Sequence, residues 1–441
     1  MSAARSRRQP ASVALAIALA TTGVLPVFLT GALSVQIEAG LHVGPTAIGG
    51  AVATYFAASA LSSVRAGRLA ERVGPFKVML VAVGLALVAL LGIGLVVTSV
   101  YVLLPFLVAG GLSNGAMQPA VNLLLARAVD EHRQGLAFGI KQAAIPSATL
   151  LSGIAVPALA LTAGWHAAYL AAAGVGLVVG AVLVLGGRRL VPTGGTADVR
   201  PRAVDERDDR GTAARPGGTF DLRPLVFLAT AMACAVAAAN ALGSFVVAGA
   251  VHDGVGPGLA GLLSAAGSVV GLSARVGFGW RADRTGLRGR RAANAHLETV
   301  VVLIVVGALG YGALAFGNLG LLVPAVLVAY GGGWGYNGLF NLAVVRAYPE
   351  NPGRATGVAQ VGTYVGGMVG PMTFGIVADH LGFDAGWALC AALAVVAAAA
   401  FSLSRRRLGA APAIAATQAG ALLEARGQAS EGPPSPTWTG A

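Results

Sequence analysis

Gly67-Arg68-Leu69-Ala70-Glu71-Arg72-Val73-Gly74 stands between two apolar runs. Gly279-Trp280-Arg281-Ala282-Asp283-Arg284-Thr285-Gly286 stands between two others, 212 residues later. Glycine, alanine, acid, arginine and glycine recur in the same order. The offset reaches well beyond the loop: Gly31/Gly243, Val35/Val247, Gly44/Gly256, Pro45/Pro257 and Gly49/Gly261 all keep it. Farther on, Pro105/Pro324, Asn122/Asn341, Arg127/Arg346 and Glu131/Glu350 pair at 219, and Gly139/Gly357 and Gln142/Gln360 at 218. A polar loop repeated in phase with its flanks means one structural plan used twice.

The plan is written in membrane material. Only 11% of the 441 residues are charged and mean hydropathy is +0.75, whereas a soluble domain carries roughly a quarter charged residues. Apolar runs of about twenty residues, enough to cross a ~30 Å hydrocarbon core, return twelve times. The net charge of +12 does not indicate a nucleic-acid partner, because of where the charge lies. Cationic residues gather at the two ends and in alternate connections, while those around 36–46, 98–100, 158–166, 248–257, 317–319 and 379–385 carry none. The positive-inside rule then places both termini in the cytoplasm. Cys234 and Cys390 fall inside apolar runs of opposite halves, so no disulfide framework is available.

Read in order, residues 1–11 form a basic cytoplasmic tail and 12–187 a first six-helix bundle. Ala18-Leu19-Ala20 resembles a signal cleavage site, but Gly31 and Val35 have repeat partners, which argues that the segment stays. Residues 188–222, rich in Arg, Asp, Gly and Pro, read as a flexible cytoplasmic linker. Residues 223–404 form the second bundle and 405–441 a disordered cytoplasmic tail. Spans 3, 6, 9 and 12 are almost wholly Val, Leu, Ala and Gly. Others carry polar stripes at helical spacing: Asn114, Gln118 and Asn122; Ser264, Ser268, Gly271 and Arg275; Tyr330, Trp334, Asn337 and Asn341; Thr356, Gln360 and Tyr364. Polar groups are costly against lipid, so these faces point inward. The fold class expected is an all-α membrane protein, twelve transmembrane helices in two pseudo-symmetric six-helix bundles. Internal repeats of this kind are common in secondary transporters.

These residues resemble the major facilitator superfamily across the membrane part. Its signature after helix 2, G-x-L-x-D-R-x-G with basic residues following, is met by Gly67, Leu69, Glu71, Arg72 and Gly74, then Lys77. The second copy supplies Gly279, Asp283, Arg284 and Gly286, then Arg290 and Arg291. The resemblance implies that these loops gate conformational change, the first-copy acid docking on the N-terminus of helix 11 in the outward-facing state, where the helix dipole favours negative charge. Here that acid is Glu71 in place of the usual Asp. Other family features are missing. Leu107 stands where many proton-coupled members have an arginine. Helix 5 lacks G-x-x-x-G-P, a version of which appears in helix 11 as Gly362, Gly366, Gly370 and Pro371. No acid lies in the middle of any span, which argues against a drug/proton antiporter built on a buried carboxylate.

Two cations remain inside expected helices, Lys141 about five residues into helix 5 and Arg275 near the cytoplasmic end of helix 8. A cation at the bilayer centre costs at least about 2.5 kcal/mol, which an anionic substrate offsets; Lys141 alternatively snorkels to the surface. Arg275 resembles the helix 8 arginine of monocarboxylate transporters. Pairing it with a lysine is similar to the oxalate/formate exchanger, whose lysine lies in helix 11, where this chain has Ala359. The expected substrate site comprises Lys141, Arg275, Asn114, Gln118, Gln142, Asn240, Tyr330, Trp334, Asn337, Asn341, Gln360 and Tyr364, with Pro146 and Gly139 shaping helix 5. The expected function is secondary active transport of a small organic anion by alternating access. The alternative is efflux of amphipathic drugs or secondary metabolites past a wall of Tyr330, Trp334, Phe340 and Tyr364; a sensor or membrane enzyme is the third reading. The six histidines sit in loops or at span ends without ligand spacing, so no catalytic residue, metal or cofactor is expected. The expected partners are the lipid bilayer, the small-molecule substrate and a coupling proton or counter-substrate, for a monomer in a bacterial cytoplasmic membrane.

Overall fold

The computed structural model describes residues 2–129, 137, 140–190, 223–284, 289–348 and 352–430. Of the segment read as the linker (188–222), residues 188–190 end the helix that begins at Trp165, while 191–222, Gly139 and Gly286 lie outside the described residues. Twelve helices are long and apolar enough to cross a membrane among the residues described. The first half comprises α1 (Ser2–Ala32), α2 (Ser34–Leu41), α3 (Pro45–Val73), α4 (Pro75–Val96), α5 (Val100–Ala128), α6 (Ala144–Ala155) and α7 (Trp165–Leu190). The second comprises α8 (Arg223–His252), α9 (Pro257–Arg284), α10 (Gly289–Leu314), α11 (Leu319–Gly335), α12 (Asn337–Ala347), α13 (Pro352–Leu381) and α14 (Phe383–Ser430).

Proline starts several spans and glycine ends several. Pro45, Pro75 and Pro257 open α3, α4 and α9, where the missing N–H costs nothing. Positive φ at Gly164, Gly254, Gly317 and Gly382 turns the chain sharply on one face of the bundle, opposite the basic loops. Three spans are interrupted. Leu33 separates α1 from α2. Gln142 and Ala143 form a turn before α6, and Tyr336 separates α11 from α12. The last helix continues to Ser430, so a helix occupies 405–430 where a disordered tail is expected; its alanine-rich sequence with Leu, Glu, Arg and Gln has high helix propensity.

The greasy spans stay peripheral. The helices that bring the halves together are α3 against α13, α6 against α9, and α1 against α8. These seams are tightest away from the basic face. A Cβ on Gly375 would lie 2.5 Å from the Pro45 carbonyl oxygen, and one on Gly153 would lie 2.6 Å from that of Gly261. Only glycine permits backbones this close. Glu71 and Arg72 at the opposite end are exposed. The two halves therefore close on the face without cations, while the Glu71 side chain is exposed.

Candidate functional site

The break before α6 has a local cause. Pro146 has no N–H to bond the carbonyl four residues earlier, and its ring crowds that carbonyl. The carbonyl is that of Gln142. Arg275 Nη1 donates to it across the seam at 2.8 Å, while Arg275 Nε donates to the Trp334 carbonyl at 2.8 Å. Trp334 lies in the last turn of α11, where carbonyls lack helical partners, and the sequence Gly331-Gly332-Gly333-Trp334-Gly335 favours ending the helix there. The guanidinium carbon also sits 5.6 Å from the centroid of the Trp334 ring. One arginine thus joins two helix breaks in opposite halves.

Lys141 immediately precedes that break. The residue is 6% exposed, and its ammonium donates to Gln118 Oε1. Gln118 Nε2 donates to Asn114 Oδ1 at 3.1 Å, and Asn114 Nδ2 to Ser59 Oγ at 3.2 Å. Ser59 Oγ donates in turn to the carbonyls of Tyr55 and Gly111. The i, i+4 spacing of Asn114 and Gln118 on α5 produces this ladder. Ser59 completes it, and the sequence gives no signal for it, because Ser62 and Ser63 lie within a turn on the same helix and no spacing sets Ser59 apart from them.

Both cations are buried, and both have only neutral partners among the described residues. The one ion pair found there, Arg405–Glu298 at 2.8 Å, ties α14 to α10 at the basic face. Lys141 therefore does not snorkel to solvent; its head is held inside by Gln118.

The remaining candidates sort clearly. Tyr330 is fully buried with its hydroxyl 3.1 Å from Ser264 Oγ, and Ser268 donates to Thr149 Oγ1 at 2.8 Å across the seam. Trp334 Nε1 donates to the Ala239 carbonyl at 2.7 Å, beside buried Asn240. The Tyr364 hydroxyl faces Ser63 of α3 and Gln360. Asn337 and Asn341 are half-buried on α12, and Gln360 is exposed. Gln142 contributes through its backbone, which no side-chain pattern announces. Phe340 is not part of an aromatic wall: it is fully buried against Phe401 of α14, centroids 5.4 Å apart. An apolar crevice of about 690 Å³ between α3, α5 and α13, lined by Ala47, Gly50, Thr54, Leu104, Met368 and Met372, contains none of the candidate residues.

Two six-helix halves meeting around buried cations and a polar ladder define a membrane transporter. The family model described as Major Facilitator Superfamily matches residues 11–351, and the chain belongs to that superfamily. It is a transporter and not an enzyme. An uncharacterized MFS-type transporter of Mycobacterium tuberculosis (strain ATCC 25618 / H37Rv) is 31% identical over 147 residues, 33% of this chain; the match spans a quarter (25%) of that relative. A bacterial homologue of the human lysosomal transporter Spinster, solved in inward-facing and unoccupied conformation, superposes with a TM-score of 0.66 at 15% identity, over 90% of this chain and 97% of the other. Its inward-facing and occupied form gives 0.64 at 14%, over 89% and 96%. At such identity the likeness establishes the fold.

Proposed function

We propose that this transporter moves a small organic anion by alternating access, with Lys141 and Arg275 as its charge-bearing contacts. The observation that carries the reading is the burial of both cations beside one helix break, with neutral partners alone among the described residues. A buried charge without a counter-charge is expensive, and an anionic substrate supplies the missing charge. Gln118 and Asn114 position the Lys141 ammonium and offer hydrogen bonds of their own. Arg275 exchanges one or both backbone carbonyls for the substrate carboxylate, a stronger, charge-assisted partner. Because Arg275 joins the two halves through Gln142, such an exchange changes the relative stability of the two access states, as coupled transport requires.

The positive-inside rule makes the basic face cytoplasmic, so the conformation described here is inward-facing. Efflux of amphipathic drugs has less support, since Tyr330, Trp334 and Phe340 are consumed in helix packing.

The test is thermal stability of purified protein against a panel of small carboxylates and lipophilic cations, in wild type and Lys141→Ala. Carboxylates raising the Tm of wild type alone support the anion site. Equal stabilisation of both proteins by lipophilic compounds, with carboxylates inert, refutes it.

A further inference from the structure

The face opposite the basic loops closes on an unusual contact. Asp379, near the end of α13 in the second half, accepts a hydrogen bond from Thr46 Oγ1 of the first half at 2.7 Å. Its other oxygen lies where a Cβ on Gly44 would be only 2.7 Å away. On α2, which packs against α8 of the second half, Glu38 directs a fully buried Oε1 that has no hydrogen-bond partner among the described residues. The two carboxylates come from opposite halves and repel each other when both are ionised.

The connections that meet here contain no lysine or arginine. The other ionisable groups at this end are His42 just after α2, Tyr101 at the start of α5, His166 on α7, His252 and Asp253 at the end of α8, His380 on α13 and Asp384 at the start of α14. His166 is bonded to the Val97 carbonyl and His380 to that of Ile376, while Asp253 faces Asp384 and His252. Among the charged groups it is Asp379 that acts on Glu38.

We propose that Glu38 and Asp379 form a proton-operated gate: a proton on the pair holds the two halves together on this face, and its loss drives them apart. The gate is independent of which substrate the centre takes. Burial, and secondarily Asp379, push the Glu38 carboxyl up from 4.5 to about 7. In the opened state Glu38 is solvated and returns to its ordinary value. The closed state thus binds the proton more tightly, so closure is favoured below about 4.5, weakens as pH rises to about 7, and levels off above that. A difference of that size changes the closed-to-open ratio by up to roughly 300-fold.

The experiment uses the full-length protein with Cys234 and Cys390 replaced by alanine and spin labels on cysteines at Ala39 and Leu381. Both positions are exposed and lie beside the gate, one in each half. Pulsed electron–electron distances are recorded from pH 4 to pH 8.5. The short-distance population should dominate in acid and decline up to about pH 7. Glu38→Gln should hold the short distance at every pH. Asp379→Asn should move the decline to lower pH, which serves as the deciding variant if Glu38→Gln does not fold. A wild-type distribution independent of pH, a Glu38→Gln protein that titrates like wild type, or an Asp379→Asn curve superimposable on wild type overturns the proposal.

Discussion

Replacing Gly261 by valine should drive the transporter out of its present state. A Cβ at Gly261 would stand 2.7 Å from the Gly153 carbonyl oxygen and 2.7 Å from Val156 Cβ, where ordinary contact begins at 3.4 Å. Both neighbours are backbone or a branch point, so neither can rotate away, and α6 and α9 must part by about 0.7 Å for the Cβ alone and farther for the two methyls. Overpacking of this kind costs about 1–3 kcal/mol, and the cost falls only on the state in which these helices touch. The closed population on this face should therefore drop about 5- to 150-fold relative to the open one. Gly261→Ala should shift it less, in the same direction. The assay is pulsed distance measurement between labels at Leu161 and Leu259, which flank the seam and are exposed. The expected result is a longer-distance population that grows from wild type to alanine to valine. Identical distributions in all three would refute the claim that glycine-mediated backbone contact sets this state.

Further outcomes follow from the centre. Gln118→Glu puts a carboxylate against the Lys141 ammonium and neutralises it; anion binding measured by calorimetry should weaken at least tenfold while the Tm holds or rises. Arg275→Gln leaves the carbonyls of Gln142 and Trp334 without their donors, so urea or thermal unfolding should show a loss of about 1–3 kcal/mol per unsatisfied group. Arg275→Lys should recover only part of this, because a single ammonium cannot reproduce the two-pronged geometry of the guanidinium. Trp334→Phe removes the bond to the Ala239 carbonyl and should cost about 1–3 kcal/mol in the same assay, without changing which compounds stabilise the protein.

The twelve spans were legible because hydropathy and alternating charge are properties of composition along the chain. The duplicated loop added the two-half plan, since glycines and an acid–arginine pair at fixed offsets survive where apolar residues interchange freely. Asn114 and Gln118 were legible as a ladder because helical periodicity alone places them together. The break before α6 was announced by Pro146, but its consequence was not: the group it frees is a backbone carbonyl, and its partner Arg275 is 133 residues away. The proposed gate pairs Glu38 with Asp379, more than 300 positions apart, and only the meeting of the two halves, α2 on α8 and Thr46 of α3 on Asp379, brings them to one face. The aromatic wall failed for a geometric reason. Phe340 is six residues past Trp334, about 120° away around a helix, so it leaves the face of Tyr330 and Trp334 and packs on Phe401 of α14.

The most direct test of the account is counterflow in proteoliposomes. Liposomes holding wild-type protein and a high concentration of an unlabelled small carboxylate that raises its Tm are diluted into the same labelled compound, alongside Lys141→Gln. The account predicts transient accumulation of label in wild type and none above protein-free liposomes in Lys141→Gln, with the variant retaining wild-type Tm in the absence of ligand. Equal accumulation in both proteins would contradict it.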